Sequence, residues 1–138
     1  MKIKIFYDET NYRLRKAKEC LRFIERVIRS EKRLTGDLSF IITSDKNILE
    51  INRKFLNHDY YTDVITFGYN KGKVLNGEIY ISLETVKINA VNYKVSLRNE
   101  LLRTMIHGTL HLCGYDDGSK EEIILMKKVE ERYLSAIT

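Results

Sequence analysis

The 138-residue sequence predicts an α+β fold, about four strands in a mixed sheet covered by about five helices. Two observations predict it. Period-two stretches rich in β-branched and aromatic residues are confined to the chain before Ser82, and helical apolar spacing separates them and fills the rest. A third sets the scale: 43% apolar and 31% charged residues, with no internal repeat or low-complexity run, suit one domain over 1–138 with a single core.

Residues 2–7 alternate Lys2/Ile3/Lys4/Ile5 and run into Phe6-Tyr7, a strand expected near a sheet edge. From Asn11 to Lys32 the apolar positions Leu14, Ala17, Leu21, Ile24 and Ile28 fall three and four apart, which predicts a long helix. Gly36-Asp37 is expected to break it, and Leu38–Thr43 reads as the second strand. Ser44 or Asp45 caps a helix through Phe55; residues 57–62 form a polar and aromatic connection; Asp63–Phe67 is a strand. The loop Gly68–Gly77, with Asn70, Gly72 and Asn76, predicts a hairpin into Glu78–Ser82, making these two strands antiparallel neighbours. Ser82 or Glu84 then opens a helix to Tyr93, Ser96 caps a helix over 96–113, and Ser119 with Glu122 has capping-box spacing for the last one.

The N-terminal stretch lacks a signal-peptide core, and no apolar run approaches the ~18 residues of a membrane span, so a cytoplasmic protein without membrane contact is expected. Cys20 and Cys113 form no C-x-x-C pair and read as free thiols. The formal charge is +5, and its placement matters more than its size. Between Arg13 and Arg33 nine basic residues face three acidic ones, and at roughly 100° per residue Arg15, Arg22, Arg26, Arg29 and Arg33 share a sector about 60° wide opposite the apolar stripe. A solvated helix face is the ordinary reading; a phosphate-tracking surface for RNA is the functional one.

Chemistry concentrates in residues 107–117. His107 and His111 lie four apart on a helix, one turn from each other on one face. Gly114 supplies the left-handed residue that turns the chain, and the turn delivers Asp117 or Asp116 toward the histidines. Two imidazoles and one carboxylate leave a position open for water, as in catalytic zinc sites, and would also accept iron(II) or manganese. The plain alternative is a pair of hydrogen-bonded polar residues at a helix end. A metalloprotease of H-E-x-x-H type is disfavoured, because Gly108 stands where its glutamate base belongs. A metal can still act on a phosphoryl oxygen, so phosphodiester cleavage fits better. Cys113 falls on another helix face; Glu100, two turns before His107 on nearly the same face, is either a supporting or a surface residue.

The run His107-Gly108-Thr109-Leu110-His111-Leu112-Cys113-Gly114-Tyr115-Asp116 resembles the H-G-x-L-H-L-x-G-Y-D-H signature of the YbeY family of bacterial metallo-endoribonucleases. Asn52, Asp59 and Thr62-Asp63-Val64-Ile65-Thr66-Phe67 are similar to that family's N-x-x-[FY]-R-x-x-D-x-P-T-D-V-L-S-F, and Gly77–Ser82 to its G-D-I-x-I-S. The resemblance implies a zincin-like fold with one zinc, a single-strand-specific endoribonuclease acting in 16S rRNA 3′-end maturation and ribosome quality control through the metal and its bound water, and rRNA, the small ribosomal subunit and ribosome-assembly proteins as partners. It assigns the metal to His107, His111 and Asp117, the last standing where the family has a third histidine. Tyr61 replaces the family's proline. Leu56 replaces an arginine that contacts the phosphate backbone, leaving Arg53, Lys54 or Arg103 to substitute for it; with the stripe Arg15, Arg22, Arg26 and Arg29 these are the candidate RNA contacts. A non-catalytic ribosome-assembly factor with a structural zinc is the competing reading. His58 reads as a polar loop residue.

Overall fold

Alternation decides which face of the sheet is buried. In the computed structural model, which describes residues 2–56 and 63–137, Leu38, Phe40 and Ile42 of β2 (Leu34–Thr43) and Leu75, Ile79 and Ile81 of β4 (Val74–Ser82) all turn into the core. The sheet order is β1 (Ile3–Tyr7), β2, β4, β3 (Val64–Gly68). The first two pairings are parallel and β3–β4 is antiparallel, so the sheet is mixed, β1 lies at an edge, and the hairpin joins the strands expected to be neighbours.

Five helices complete the described chain: α1 (Ala17–Ser30), α2 (Asp45–Phe55), α3 (Leu83–Tyr93), α4 (Leu97–Leu112) and α5 (Lys120–Ile137). Serine starts four of them. Ser44, Ser82, Ser96 and Ser119 accept the backbone N–H of Asn47, Thr85, Asn99 and Glu122, each cap contributing about 1 kcal/mol. Ile24, Ile28, Leu101, Leu102, Met105, Ile106 and Leu110 meet the sheet's apolar face in one core with Met126, Val129 and Tyr133 of α5.

Four boundaries differ from the sequence reading: both ends of α1 and the starts of β2 and β4, each strand beginning four residues early. α1 begins at Ala17, not Asn11, because Lys16 adopts a left-handed conformation (φ 55°) and the lead-in is held by local bonds: Leu14 N–H donates to the Tyr7 hydroxyl at 2.9 Å and Tyr12 N–H to Thr10 Oγ1. Leu14 is buried all the same. The helix ends before Gly36, at Ser30, where Lys32 turns the chain with φ 64°. Gly36 lies inside β2 at an irregularity in register between Thr35 and Leu38, where a Cβ would meet Asn76 Oδ1 at 2.2 Å and the Leu75 carbonyl at 2.6 Å. β4 also starts four residues earlier than expected, at Val74, and closes a tight loop through the Lys71–Val74 bridge. The connection 57–62, with His58, Asp59 and Tyr61, lies outside the described residues. Among the described helices none is long and apolar enough to cross a membrane.

Candidate metal centre

α4 carries the site because its sequence is mostly core. Gly108 is buried against Ile79 of β4, and a Cβ there would lie 2.7 Å from Ile79 Cγ2. The helix therefore approaches the sheet closely, and a glutamate at 108 has no room. The metalloprotease base is excluded sterically as well as chemically.

The helix stops in a Schellman turn: Gly114 N–H donates to the His111 carbonyl (3.0 Å), Tyr115 N–H to the Leu110 carbonyl (3.1 Å), and Gly114 has φ 110°. This turn aims the Tyr115 carbonyl at His111, whose Nδ1 lies 2.9 Å away. A carbonyl only accepts, so Nδ1 is the nitrogen that donates there and Nε2 is presented to the site. His107 is fixed the same way by a side chain, its Nδ1 lying 2.5 Å from Glu130 Oε2 on α5. The two Nε2 atoms face each other at 3.0 Å, and Asp117 Oδ2 lies 3.6 Å from that of His107 and 3.3 Å from that of His111. Atoms bound about 2.0–2.2 Å from a tetrahedral zinc sit roughly 3.3–3.6 Å apart, which the two carboxylate distances match while the imidazoles stand closer together. Two imidazole nitrogens and a carboxylate oxygen converge within 4.8 Å of one another, so the group His107, His111 and Asp117 can hold a metal ion. Asp117 is half-exposed, which keeps this side open to water.

Behind His107 stands a buried charge chain. Arg103 donates from Nε and Nη2 to Glu100 (2.9 and 2.5 Å) and from Nη1 to Glu130 Oε1 (2.8 Å), while Asp63 lies 3.9 Å away. Glu100 and Glu130 are 1% and 2% exposed. Burial opposes the guanidinium charge, but the hydrogen bonds and charge of Glu100, then of Glu130, outweigh it and raise the Arg103 pKa. Two carboxylates against one guanidinium leave a net negative charge behind His107, which favours a cation at its other nitrogen.

A second set of contacts holds the turn. Glu31, just past α1, accepts from the hydroxyls of Tyr115 (2.7 Å) and Tyr133, and Arg33 donates to the Cys113 carbonyl at 2.8 Å. Burial, then the bond to Glu31, pushes the Tyr115 pKa up to about 12, and burial pushes the Cys113 thiol up to about 11. Cys113 is a packed thiol.

The structure brings His107, His111 and Asp117 together and disperses the candidate RNA contacts. Arg103 is bound inside the fold by Glu100 and Glu130, so it presents no free cation to a phosphate; Glu100 takes the supporting role. Arg33 binds backbone, and Arg29 pairs with Glu25 at 3.9 Å. Arg15 precedes α1 instead of lying on it, yet it shares a groove with Arg22 and Arg26. Arg53 and Lys54 are exposed in the last turn of α2, and Leu56 is its C-cap. Asp116 is an exposed turn residue. Sequence reasoning missed Glu130 and Glu31. Glu130 had a signal: it interrupts the stripe Met126, Val129, Tyr133 that α5 buries, and a carboxylate at a core position needs a partner. Glu31 had none, since its partners come from 84 and 102 residues away.

Fold and site define the class, a zincin-like α+β protein whose core helix presents two histidines and a turn carboxylate able to hold a metal. Comparison narrows the class. The family model Endoribonuclease YbeY matches residues 3–138. A protein of that name from Parabacteroides distasonis is 41% identical over 137 residues, covering 99% of this chain and 96% of its own. One from Flavobacterium psychrophilum is 42% identical over 129 residues, covering 94% and 92%. The solution structure of a Thermotoga maritima protein superposes with a TM-score of 0.66 at 31% identity, covering 97% of this chain and 90% of that one. The chain belongs to the Endoribonuclease YbeY family.

Proposed function

We propose that this chain, as a single domain over 1–138, is a zinc-dependent, single-strand-specific endoribonuclease of the cytoplasm that acts in 16S rRNA 3′-end maturation and ribosome quality control, with rRNA, the small ribosomal subunit and assembly proteins as partners. The observation that carries the reading is the convergence of His107 Nε2, His111 Nε2 and Asp117 Oδ2 with both imidazoles held by their Nδ1 atoms. Membership in the endoribonuclease family supports the choice of RNA. When bound, zinc would lower the pKa of water to about 7 and polarise a phosphoryl oxygen. Glu130 and the Tyr115 carbonyl fix the two rings, Asp117 adds negative charge on the open side, and Gly108 holds the helix against the sheet. Purified protein should carry about one metal per chain; His111→Ala should lose both metal and RNA cleavage, and unchanged cleavage in that variant refutes the assignment. Asp117→His should keep the metal and shift its preference toward softer divalent ions.

The competing reading, a non-catalytic assembly factor whose zinc is structural, is favoured by one observation. Leu56 stands where the family has an arginine, and the candidate Arg103 is tied to carboxylates. Wild-type protein that binds small subunits yet cleaves no RNA, while Leu56→Arg gains cleavage, would establish it.

A further inference from the structure

We propose that a groove between the start of α1, the first turn of α4 and the end of α5 is a docking surface for the phosphate backbone of RNA, remote from the metal centre. The proposal rests on RNA being the substrate. Arg15, Lys16, Arg22, Arg26 and Arg98 line the groove with Glu19 as the single acidic side chain among the described residues, and Ala136 and Ile137 close it; its volume is about 520 Å³. The cations come from two separate pieces of chain, residues 15–26 and Arg98 of α4. Arg98 reaches across from α4, donating to the Arg15 carbonyl (3.4 Å) and to Cys20 Sγ (3.3 Å), which fixes one wall.

The other arginines of this fold show what is unusual here. Arg103 and Arg29 each pair with a carboxylate, whereas Arg15, Arg22, Arg26 and Arg98 have no carboxylate within 4.0 Å among the described residues. Five cations gathered in a concave surface against one carboxylate repel one another, and a polyanion relieves that repulsion. The concave shape and the mixture of four planar guanidiniums suit the repeated, bidentate oxygens of a phosphodiester chain. Arg98 and His107 are nine residues apart on α4, about 13 Å along its axis, so the groove and the metal centre are separate sites.

The test measures anisotropy of an end-labelled single-stranded oligoribonucleotide against KCl concentration, in the His111→Ala background so that binding is read without turnover. The triple change Arg15→Gln, Arg22→Gln, Arg26→Gln should weaken binding more than tenfold at 0.1 M salt and reduce the log–log salt slope by about 2, roughly 0.7 per phosphate contact removed. Lys46→Gln, Lys73→Gln, Lys87→Gln, which removes equal charge from exposed positions elsewhere, should cost less than half as much. Equal losses in both triples, an unchanged slope in the arginine triple, or no salt-dependent RNA binding at all overturns the proposal. A labelled polyglutamate peptide losing affinity as steeply as RNA does would assign the groove to an acidic protein and also overturn it. Metal content of the arginine triple in the His111-containing protein should remain at one per chain; cleavage is not read here, so failure of the nuclease reading and failure of this one are separate results.

Discussion

Two arginines of α4, five residues apart, are handled in opposite ways. Near the histidines, Arg103 is sunk between two buried carboxylates; at the N-terminal end, Arg98 joins four other cations around a groove with one acidic residue. The first arrangement makes a cation part of the scaffold, and the second leaves cations facing solvent. Charge counted along the sequence does not distinguish them; the partner decides.

The largest expected difference is in stability. Arg103→Met leaves Glu100 and Glu130 buried without their guanidinium and should cost about 3–5 kcal/mol, read by urea unfolding, while Arg98→Met should cost under about 1 kcal/mol. Equal losses would erase the contrast. Next, Glu130→Gln keeps the shape but removes the negative charge behind His107, and metal affinity should fall about 10–100-fold, measured by competition with a chelator; the same protein should bind RNA with an unaltered salt slope. Gly108→Ala should destabilise by about 1–3 kcal/mol through overpacking on Ile79, visible as a lower melting temperature. The smallest effect concerns Tyr133, whose pKa burial and the bond to Glu31 hold above 10.0. Above pH 10 the unfolded chain releases that proton before the folded one does, so unfolding free energy falls as pH rises through the folded pKa. Tyr133→Phe should make that fall shallower in unfolding measured from pH 9 upward.

Local signals made much of this fold legible. Serine caps, the alternation of β2 and β4 and the antiparallel pairing of the hairpin strands follow from the residues alone, and so does the histidine pair, because helix spacing is a local property. What was not legible is long-range. Lys16 and Lys32 in left-handed conformations shorten α1 against a strong apolar stripe, since Leu14 can reach the core from outside a helix. The partners of His107 show the same division. Spacing on α4 suggested Glu100, but Glu130 lies 23 residues beyond His107 on another helix, and only the packing of α5 on α4 brings it near.

The different holders of the two histidines have a consequence for how this centre tolerates change. His107 is oriented by a side chain, so its orientation is exposed to point substitution at 130 and, one step removed, at 103. His111 is oriented by a backbone carbonyl that any residue at 115 supplies. Its orientation is insensitive to side-chain replacement there and sensitive to chain length: one residue inserted between 113 and 117 would shift both the carbonyl and Asp117. In a deep mutational scan that includes insertions, the two halves of one centre should therefore fail by different kinds of mutation.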